Sequence, residues 1–226
     1  MSKLVSDKTA IFLTDGTLPT GVDVVSISNT TPAVVSVASG ALTTMELADG
    51  DQVLVQGTGE PRLDDKFFAV SAVGDTADSF TLNDTDLVDL SAPITVGTVA
   101  PYNMSGSSPE FFKACESSVT LNGQAPDTVD LSDMCETETK LGDAKPPTVS
   151  FTGFVNSEDD GFRNMIRASL ESPKTPRVLS IVYPDGEYVT GPAEVGAISV
   201  AAAKGQGLTY SGTATYTKVP TYSWAL

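Results

Sequence analysis

The sequence predicts a mainly β fold: a sandwich or barrel with one helix, into which a small all-β domain is inserted. Three observations carry this expectation. The 226 residues are rich in Thr, Ser and Val and are punctuated by 19 Gly and 14 Pro. β-Branched side chains suit a half-buried pleated surface, and Gly and Pro mark turns. Short apolar stretches recur between turn signals along most of the chain, and only one stretch carries an apolar repeat of helical period. With 40% hydrophobic and 19% charged residues the chain has the means to bury a real core.

The elements follow in order. Residues 9–13 form a strand, ended by Asp15-Gly16 and Pro19. Residues 24–102 have a self-contained texture, with strands expected at 34–37, 52–55, 66–70, 80–82 and 94–99 and turns at Asp49-Gly50 and Gly74-Asp75. Regular short strands of this kind suggest a small barrel or sandwich. The segment holds eleven acids against two bases, more acidic per residue than its host. The domains are therefore expected at 1–23 with 103–226, and at 24–102. The insert is expected to be a dispensable appendage, since exposed loops tolerate insertions. Residues 103–109 have a linker's composition.

Strands near 118–121 and 128–131 precede a polar stretch, 132–147, containing Asp133, Glu136, Glu138, Lys140 and Asp143. It is expected to be a long loop. Residues 148–155 alternate, with Val149, Phe151 and Val155 on one face. The helix follows, with Ser157 as the expected N-cap and Phe162, Met165, Ile166 and Leu170 as the stripe packing on the sheet. Pro173 stops it. Strands at 177–183, 188–190, 195–202 and 208–219 close the chain, the first two joined by the Pro184-Asp185-Gly186 turn. In the last, Leu208, Tyr210, Ala214 and Tyr216 share a core face. Thr209, Ser211, Thr213, Thr215 and Thr217 share a polar one.

Composition excludes several functions. A net charge of −16 repels phosphate, so a nucleic-acid grip is not expected. The chain has no histidine, which removes the commonest general base and transition-metal ligand, as well as Ser–His and Cys–His pairs. Cys115 and Cys135 lack a metal spacing and are expected as free thiols of a protein made in a cytoplasm. Met1-Ser2-Lys3-Leu4 leads into polar sequence without a leader's apolar core, and no apolar run is long enough to span a bilayer. Asn83, Asp84, Asp86 and Asp89 lack the Gly and terminal Glu of a calcium loop. Gly57-Thr58-Gly59 and Gly205-Gln206-Gly207 are turns rather than phosphate cradles. The acids of 132–147 have no pocket signature beside them. No catalytic, cofactor or metal site is expected.

The order of elements carries a resemblance. Ala125-Pro126-Asp127-Thr128-Val129-Asp130-Leu131-Ser132, then Pro147-Thr148-Val149-Ser150-Phe151-Thr152-Gly153-Phe154, the Pro184-Asp185-Gly186 turn, and Gly207-Leu208-Thr209-Tyr210-Ser211-Gly212-Thr213-Ala214 together resemble the major tail tube protein of long non-contractile, lambda-like phage tails. The likeness covers about 1–23 and 103–226. Asn29-Thr30-Thr31-Pro32-Ala33-Val34-Val35-Ser36-Val37, with Ala48-Asp49-Gly50-Asp51-Gln52-Val53, Lys66-Phe67-Phe68-Ala69-Val70 and Ser79-Phe80-Thr81-Leu82, resembles a small β module inserted in phage structural proteins. That module is similar to a β domain of ubiquitin-activating enzymes.

The family implies a virion protein that is not an enzyme. Hexameric rings, whose inner sheets join into one barrel, stack into a tube around a tape-measure protein, between a tail terminator and tail tip proteins, with no membrane contact. DNA passes through on genome ejection without specific binding. On this reading Asp133, Glu136, Glu138, Lys140 and Asp143 bridge adjacent rings. Thr209, Ser211, Thr213, Thr215 and Thr217 are candidates for lining the lumen. The alternatives are another virion structural protein, such as a tail terminator or decoration protein, and a secreted carbohydrate-binding β module. The latter calls for a leader and an aromatic platform, whereas the chain has a single Trp, Trp224.

Overall fold

The computed structural model describes residues 9–16, 18–74, 78–104, 111–114, 116–122, 126–130, 139–144, 146–202 and 207–223. In chain order the elements are β1 (Ala10–Thr14), β2 (Val22–Ile27), β3 (Ala33–Val37), α1 (Ala41–Met45), β4 (Gln52–Gln56), β5 (Lys66–Gly74), β6 (Ser79–Leu82) and β7 (Thr98–Tyr102). Then come β8 (Phe111–Ala114), β9 (Glu116–Asn122), β10 (Pro126–Asp130), β11 (Thr139–Ala144), β12 (Thr148–Phe154), α2 (Asp160–Leu170), β13 (Arg177–Val182), β14 (Tyr188–Ala201), β15 (Thr209–Tyr216) and β16 (Thr221–Tyr222). The mainly β class is as expected.

Strands β2-β3-β6-β5-β4-β7 close into an antiparallel barrel. It is filled by its own buried cluster, which includes Val35, Val53, Val70, Phe80 and Leu82. Closure leaves the barrel no free edge. The last strand lies later than the spacing suggested. Ile94 makes only a single bridge to Ile27, and the strand runs from Thr98. Gly97 is the reason. Its φ of +123° is open to glycine, and a Cβ there would stand 2.7 Å from the Thr58 methyl and 3.0 Å from the Gln56 carbonyl oxygen. The barrel also contains α1, which the sequence reading missed: five residues are too few to show a period, yet they bury Leu42 and Met45.

The second sheet runs β8-β1-β13-β14-β15-β12-β9, with β16 paired to the start of β14. Strands β8 and β9 stand at opposite ends of this order but only residue 115 separates them in the chain, so the sheet curls. Its inner face buries Ile11, Leu13, Phe151, Ile181, Tyr210 and Tyr216 among others, and α2 packs over this core. Tyr210 meets Phe162 and Phe151 with ring centroids 4.8 and 6.4 Å apart.

Asp159, not Ser157, caps α2: its carboxylate accepts the amides of Gly161 and Phe162 at 2.8 and 3.2 Å. The buried stripe is Phe162, Met165 and Ala168, joined by Asn164; Ile166 is half-buried, and Leu170 is 78% exposed. The helix is thus turned by about a quarter from the stripe that apolarity alone marks out. Asn164 explains the turn. Its amide donates to the Leu13 and Thr14 carbonyls at 3.0 Å each, and its oxygen accepts from the buried Arg177 guanidinium at 2.5 Å. The same guanidinium pairs with Glu171.

Two further expectations are corrected. Residues 132–147 are not loop throughout, because β11 occupies Thr139–Ala144 and pairs with β10, Lys140 opposite Val129. β14 is one strand of 14 residues where two were expected across Gly191-Pro192. Pro192 interrupts nothing because its missing N–H falls between β16, which pairs with Val189 and Thr190, and β15, whose pairing starts at Ala193.

The barrel docks on the outer face of β13 and the first half of β14. Gln52 donates to the Ser180 hydroxyl at 3.2 Å, and Thr190 donates to the Gln52 carbonyl at 2.8 Å. The two hydroxyls stand 2.6 Å apart, which closes a buried triangle. Beside it the Tyr188 hydroxyl accepts from the Ala69 amide and donates to the Phe67 carbonyl, both at 3.1 Å. The Thr221 hydroxyl accepts the Phe67 amide at 3.0 Å. An apolar cluster of Phe67, Ala100, Tyr102 and Val178 completes the joint. The insert is tied to its host by these bonds, and deleting it would remove the barrel partners of Ser180, Thr190 and Tyr188.

Replacing Tyr188 by Phe should destabilise the chain by about 1–3 kcal/mol, because two buried backbone groups lose their partner. A lowered melting temperature would show it, and an unchanged one would mean that the two Tyr188 hydroxyl bonds contribute nothing. Burial raises the phenols of Tyr188 and Tyr216, and pushes Tyr102 up to about 12. Their folded-state values lie above the unfolded value of about 10, so the stability they confer is full below that pH and is lost as pH rises through the folded values. Phenolate absorbance at 295 nm should therefore lag an unfolded control and rise together with unfolding.

Candidate functional site: the open polar face

Alternation along β15 decides which side chains face out. Tyr210, Ala214 and Tyr216 are buried, while Thr209, Ser211, Thr213 and Thr215 are exposed on the other side. Leu208, grouped with the core face by its parity, is 48% exposed because it precedes the strand. Thr217 lies past the strand end, where its amide and hydroxyl both go to the Pro192 carbonyl, at 2.8 and 3.2 Å.

Register spreads the pattern sideways. Thr215, Thr213, Ser211 and Thr209 stand opposite Thr148, Ser150, Thr152 and Phe154 of β12. The β12 residues Thr148, Ser150 and Thr152 in turn face Asn122, Thr120 and Ser118 of β9. On the other flank, Glu194 and Ser199 of β14 pair with Thr215 and Ser211. The hydroxyls of Ser118 and Thr152 are 2.8 Å apart, and the Asn122 amide donates to Ser150 at 3.3 Å. Four strands thus present one carpet of short hydroxyls. Among the described side chains in these paired rows, the one charge is the anion of Glu194.

This face has open borders. Among the described strands β9 pairs with β12 alone. β13 ends its pairing with β14 at Arg177 opposite Ala193, so among the described residues positions 194–201 of β14 have a strand neighbour on one side only. That free edge, Glu194-Val195-Gly196-Ala197-Ile198-Ser199-Val200-Ala201, lacks the Lys and Pro that usually blunt an exposed edge. A bulge between Val195 and Ile198 bends it. Gly196 allows the close passage there, since a Cβ would stand 2.9 Å from the Thr213 hydroxyl oxygen and 3.0 Å from the Thr213 carbonyl oxygen.

The other candidates distribute elsewhere. Asp133, Glu136 and Glu138, along with Cys115, Cys135 and Trp224, lie outside the described residues. Lys140 and Asp143 sit on the backbone of β11. Phe162, Met165 and Ile166 belong to the packed core. Two acids of the calcium-like stretch have protein partners: Asp86 accepts from Thr31 at 2.5 Å, and Asp89 pairs with Arg62 at 2.7 Å. The Thr31 hydroxyl, more than any other neighbour, holds the Asp86 carboxyl below its ordinary value. Among the described residues no group of three or more His, Cys, Asp or Glu is placed to hold a metal ion.

The chain is similar to one chain from the virion of a native gene transfer agent particle, at 16% identity and a TM-score of 0.40, covering 50% of this chain and 88% of that one. It is also similar to one from the tail of an empty gene transfer agent particle refined with C6 helical symmetry, at 16% identity and a TM-score of 0.38, covering 50% and 85%. No family model matches the chain, and no curated protein matches it.

Gly196→Ala should cost about 1–3 kcal/mol, because the Thr213 carbonyl cannot retreat without breaking the strand pairing. Thr213→Ser, facing out from the neighbouring strand, should stay within about 0.5 kcal/mol of wild type. Equal effects of the two in thermal unfolding would contradict the packing described here.

Proposed function

We propose that the chain is a structural subunit of a phage-type tail tube, with the hydroxyl face lining the bore and the barrel outside. One observation carries the reading. The curled sheet has a filled interior, and its outer surface is divided: the barrel covers β13 and the start of β14, whereas among the described residues β15, β12, β9 and the far half of β14 are bare, polar and open at both strand edges. Such edges favour strand addition by another copy. Joining β9 of one copy to the free half of β14 in the next continues the polar carpet around a ring. The resemblance puts six copies in that ring.

The chemistry of the face suits passage rather than retention. Lys and Arg in a bore release counterions from DNA and hold it with an affinity that falls steeply with salt. Hydroxyls and one carboxylate keep water on both surfaces and leave phosphates without a partner. The same wall suits a tape-measure protein that must later leave. The excess of acids over bases, 29 against 13, makes a cationic bore hard to build. On this reading the terminator and tip proteins cap the two ends of the tube. The hairpin of β10 and β11, with the acidic stretch it encloses, contacts the adjacent ring.

Two measurements test this. Purified protein should form rings or tubes in negative-stain micrographs, and a uniformly monomeric field would sink the proposal. Thr213→Lys with Thr215→Lys should assemble yet deliver DNA less well, most of all at low salt. Normal infection by particles carrying both changes would show that β15 faces elsewhere.

A further inference from the structure

We infer that β9 of one copy adds antiparallel to Ile198–Ala201 of β14 in the next, with Val119 opposite Val200 and Leu121 opposite Ile198, and that the bulge at Gly196 and Ala197 sets this register. The inference rests on the tube reading and deepens it by naming the bonded pairs at the seam between copies.

Backbone direction decides what each edge offers. The Tyr216 amide donates to the Pro147 carbonyl, and the Leu208 carbonyl accepts the Val155 amide. Even-numbered residues of β15 therefore turn their backbone toward β12, and odd-numbered ones toward β14. The Thr217 amide, bonded to the Pro192 carbonyl, obeys the same rule. Ile198 and Val200 stand opposite Gly212 and Tyr210, so their N–H and C=O groups point to the open edge of β14. In β12 the odd-numbered residues turn to β15 and the even-numbered ones to β9. Val119 and Leu121 stand opposite Phe151 and Val149, so their backbone groups point to the open edge of β9.

The two edges therefore match. Val119 and Leu121 share the core face with Phe151 and Val149, and Ile198 and Val200 share it with Tyr210. Opposed residues of an antiparallel ladder put their side chains on one face. Bonding these edges sets apolar beside apolar within the core face, and Thr120 beside Ser199 on the polar one. Val200, 53% exposed at its free edge, gains the cover of Val119.

One register bonds both pairs. Gly196 and Ala197 together face Thr213, which is the bulge. A shift of two residues toward it would set Leu121 opposite Gly196, where the ladder is broken. The opposite shift would set Val119 opposite Ala202, past the end of β14. A slip of one residue would bring to the seam backbone groups already bonded within the sheet.

Direction and number select a second copy as the partner. Three antiparallel steps separate β14 from β9, so the two run in opposite directions within a copy. A copy rotated about an axis along the strands keeps those directions, and its β9 meets the neighbouring β14 antiparallel. Each copy carries one edge of each kind, so this joint uses up both. Joining like edges would leave the other kind uncovered.

Disulfide trapping tests the inference. Thr120 and Ser199, both exposed, would form a non-hydrogen-bonded pair with Cα atoms about 4.5 Å apart, within reach of a disulfide. Within one copy they lie three strand spacings apart, about 14 Å, which is too far. Thr120→Cys with Ser199→Cys is made in the full-length Cys115→Ser, Cys135→Ser chain, assembled, and oxidised with diamide, which takes two electrons and two protons from each pair of thiols. A covalent ladder of several copies should form, several-fold more abundant than from Thr120→Cys with Ala201→Cys, whose Cα atoms would be about 7–8 Å apart. Equal ladders would overturn the register, and covalent dimers from either single cysteine would show that like edges join. In the unmodified chain, the amides of Val119, Leu121, Ile198 and Val200 should exchange with solvent several-fold more slowly in assemblies than in dispersed subunits. Rings or tubes in micrographs without that protection would overturn this seam and leave the tube reading standing. Absence of any assembly from the unmodified chain would overturn both.

Discussion

Strands β8 and β9 pair with opposite ends of one sheet, yet a single residue separates them in the chain. That connectivity forces the sheet round until its ends approach, and much else depends on it. A curled sheet has one interior, and Phe151, Tyr210, Tyr216 and the inward side of α2 fill it. It also has an exterior whose sectors point in different directions. Without the curl, the barrel and the hydroxyl carpet would crowd one flat face. With it, one sector holds the barrel and another is left bare.

Within the interior a polar hub takes the place of further apolar packing. Arg177 is 3% exposed, and it is tolerated because Asn164, Thr14 and Glu171 surround its guanidinium. Removing one member of such a group leaves the others buried without partners, which costs more than the group contributes. The hub fixes the rotation of α2 about its axis, and through the Leu13 and Thr14 carbonyls it ties the helix to β1, the strand that leads into the barrel.

Much of the bare face was legible in the sequence. The Thr and Ser residues of β15 alternate with Tyr and Ala at period two, and period two is what a strand converts directly into faces. The Pro184-Asp185-Gly186 turn was legible for the same local reason; Gly186 takes a φ of +91°. What stayed hidden depends on partners far away in the chain. Gln52 and Ser180 are 128 residues apart, and nothing near either announces the bond. Asn164 turns α2 because of carbonyls about 150 residues distant, so an apolar stripe ending in Leu170 misjudged the helix face. β11 has one large apolar side chain, Leu141, and pairs through its backbone, which leaves no periodic trace.

The joint between barrel and sheet has a mechanical meaning. The chain enters the barrel after β1 and leaves it after β7, so two covalent strands cross the boundary. If they were the only link, the barrel would swing, and any pull on it would be absorbed by slack. The triangle of Gln52, Ser180 and Thr190, with Tyr188 bridging the Phe67 carbonyl and the Ala69 amide of β5, removes that slack. A force or torque applied to the barrel passes straight into β13 and β14. Since β14 also forms one border of the polar face, a load on the barrel reaches the strands that carry that face. The barrel is a lever fixed to the sheet rather than a flag tethered to it.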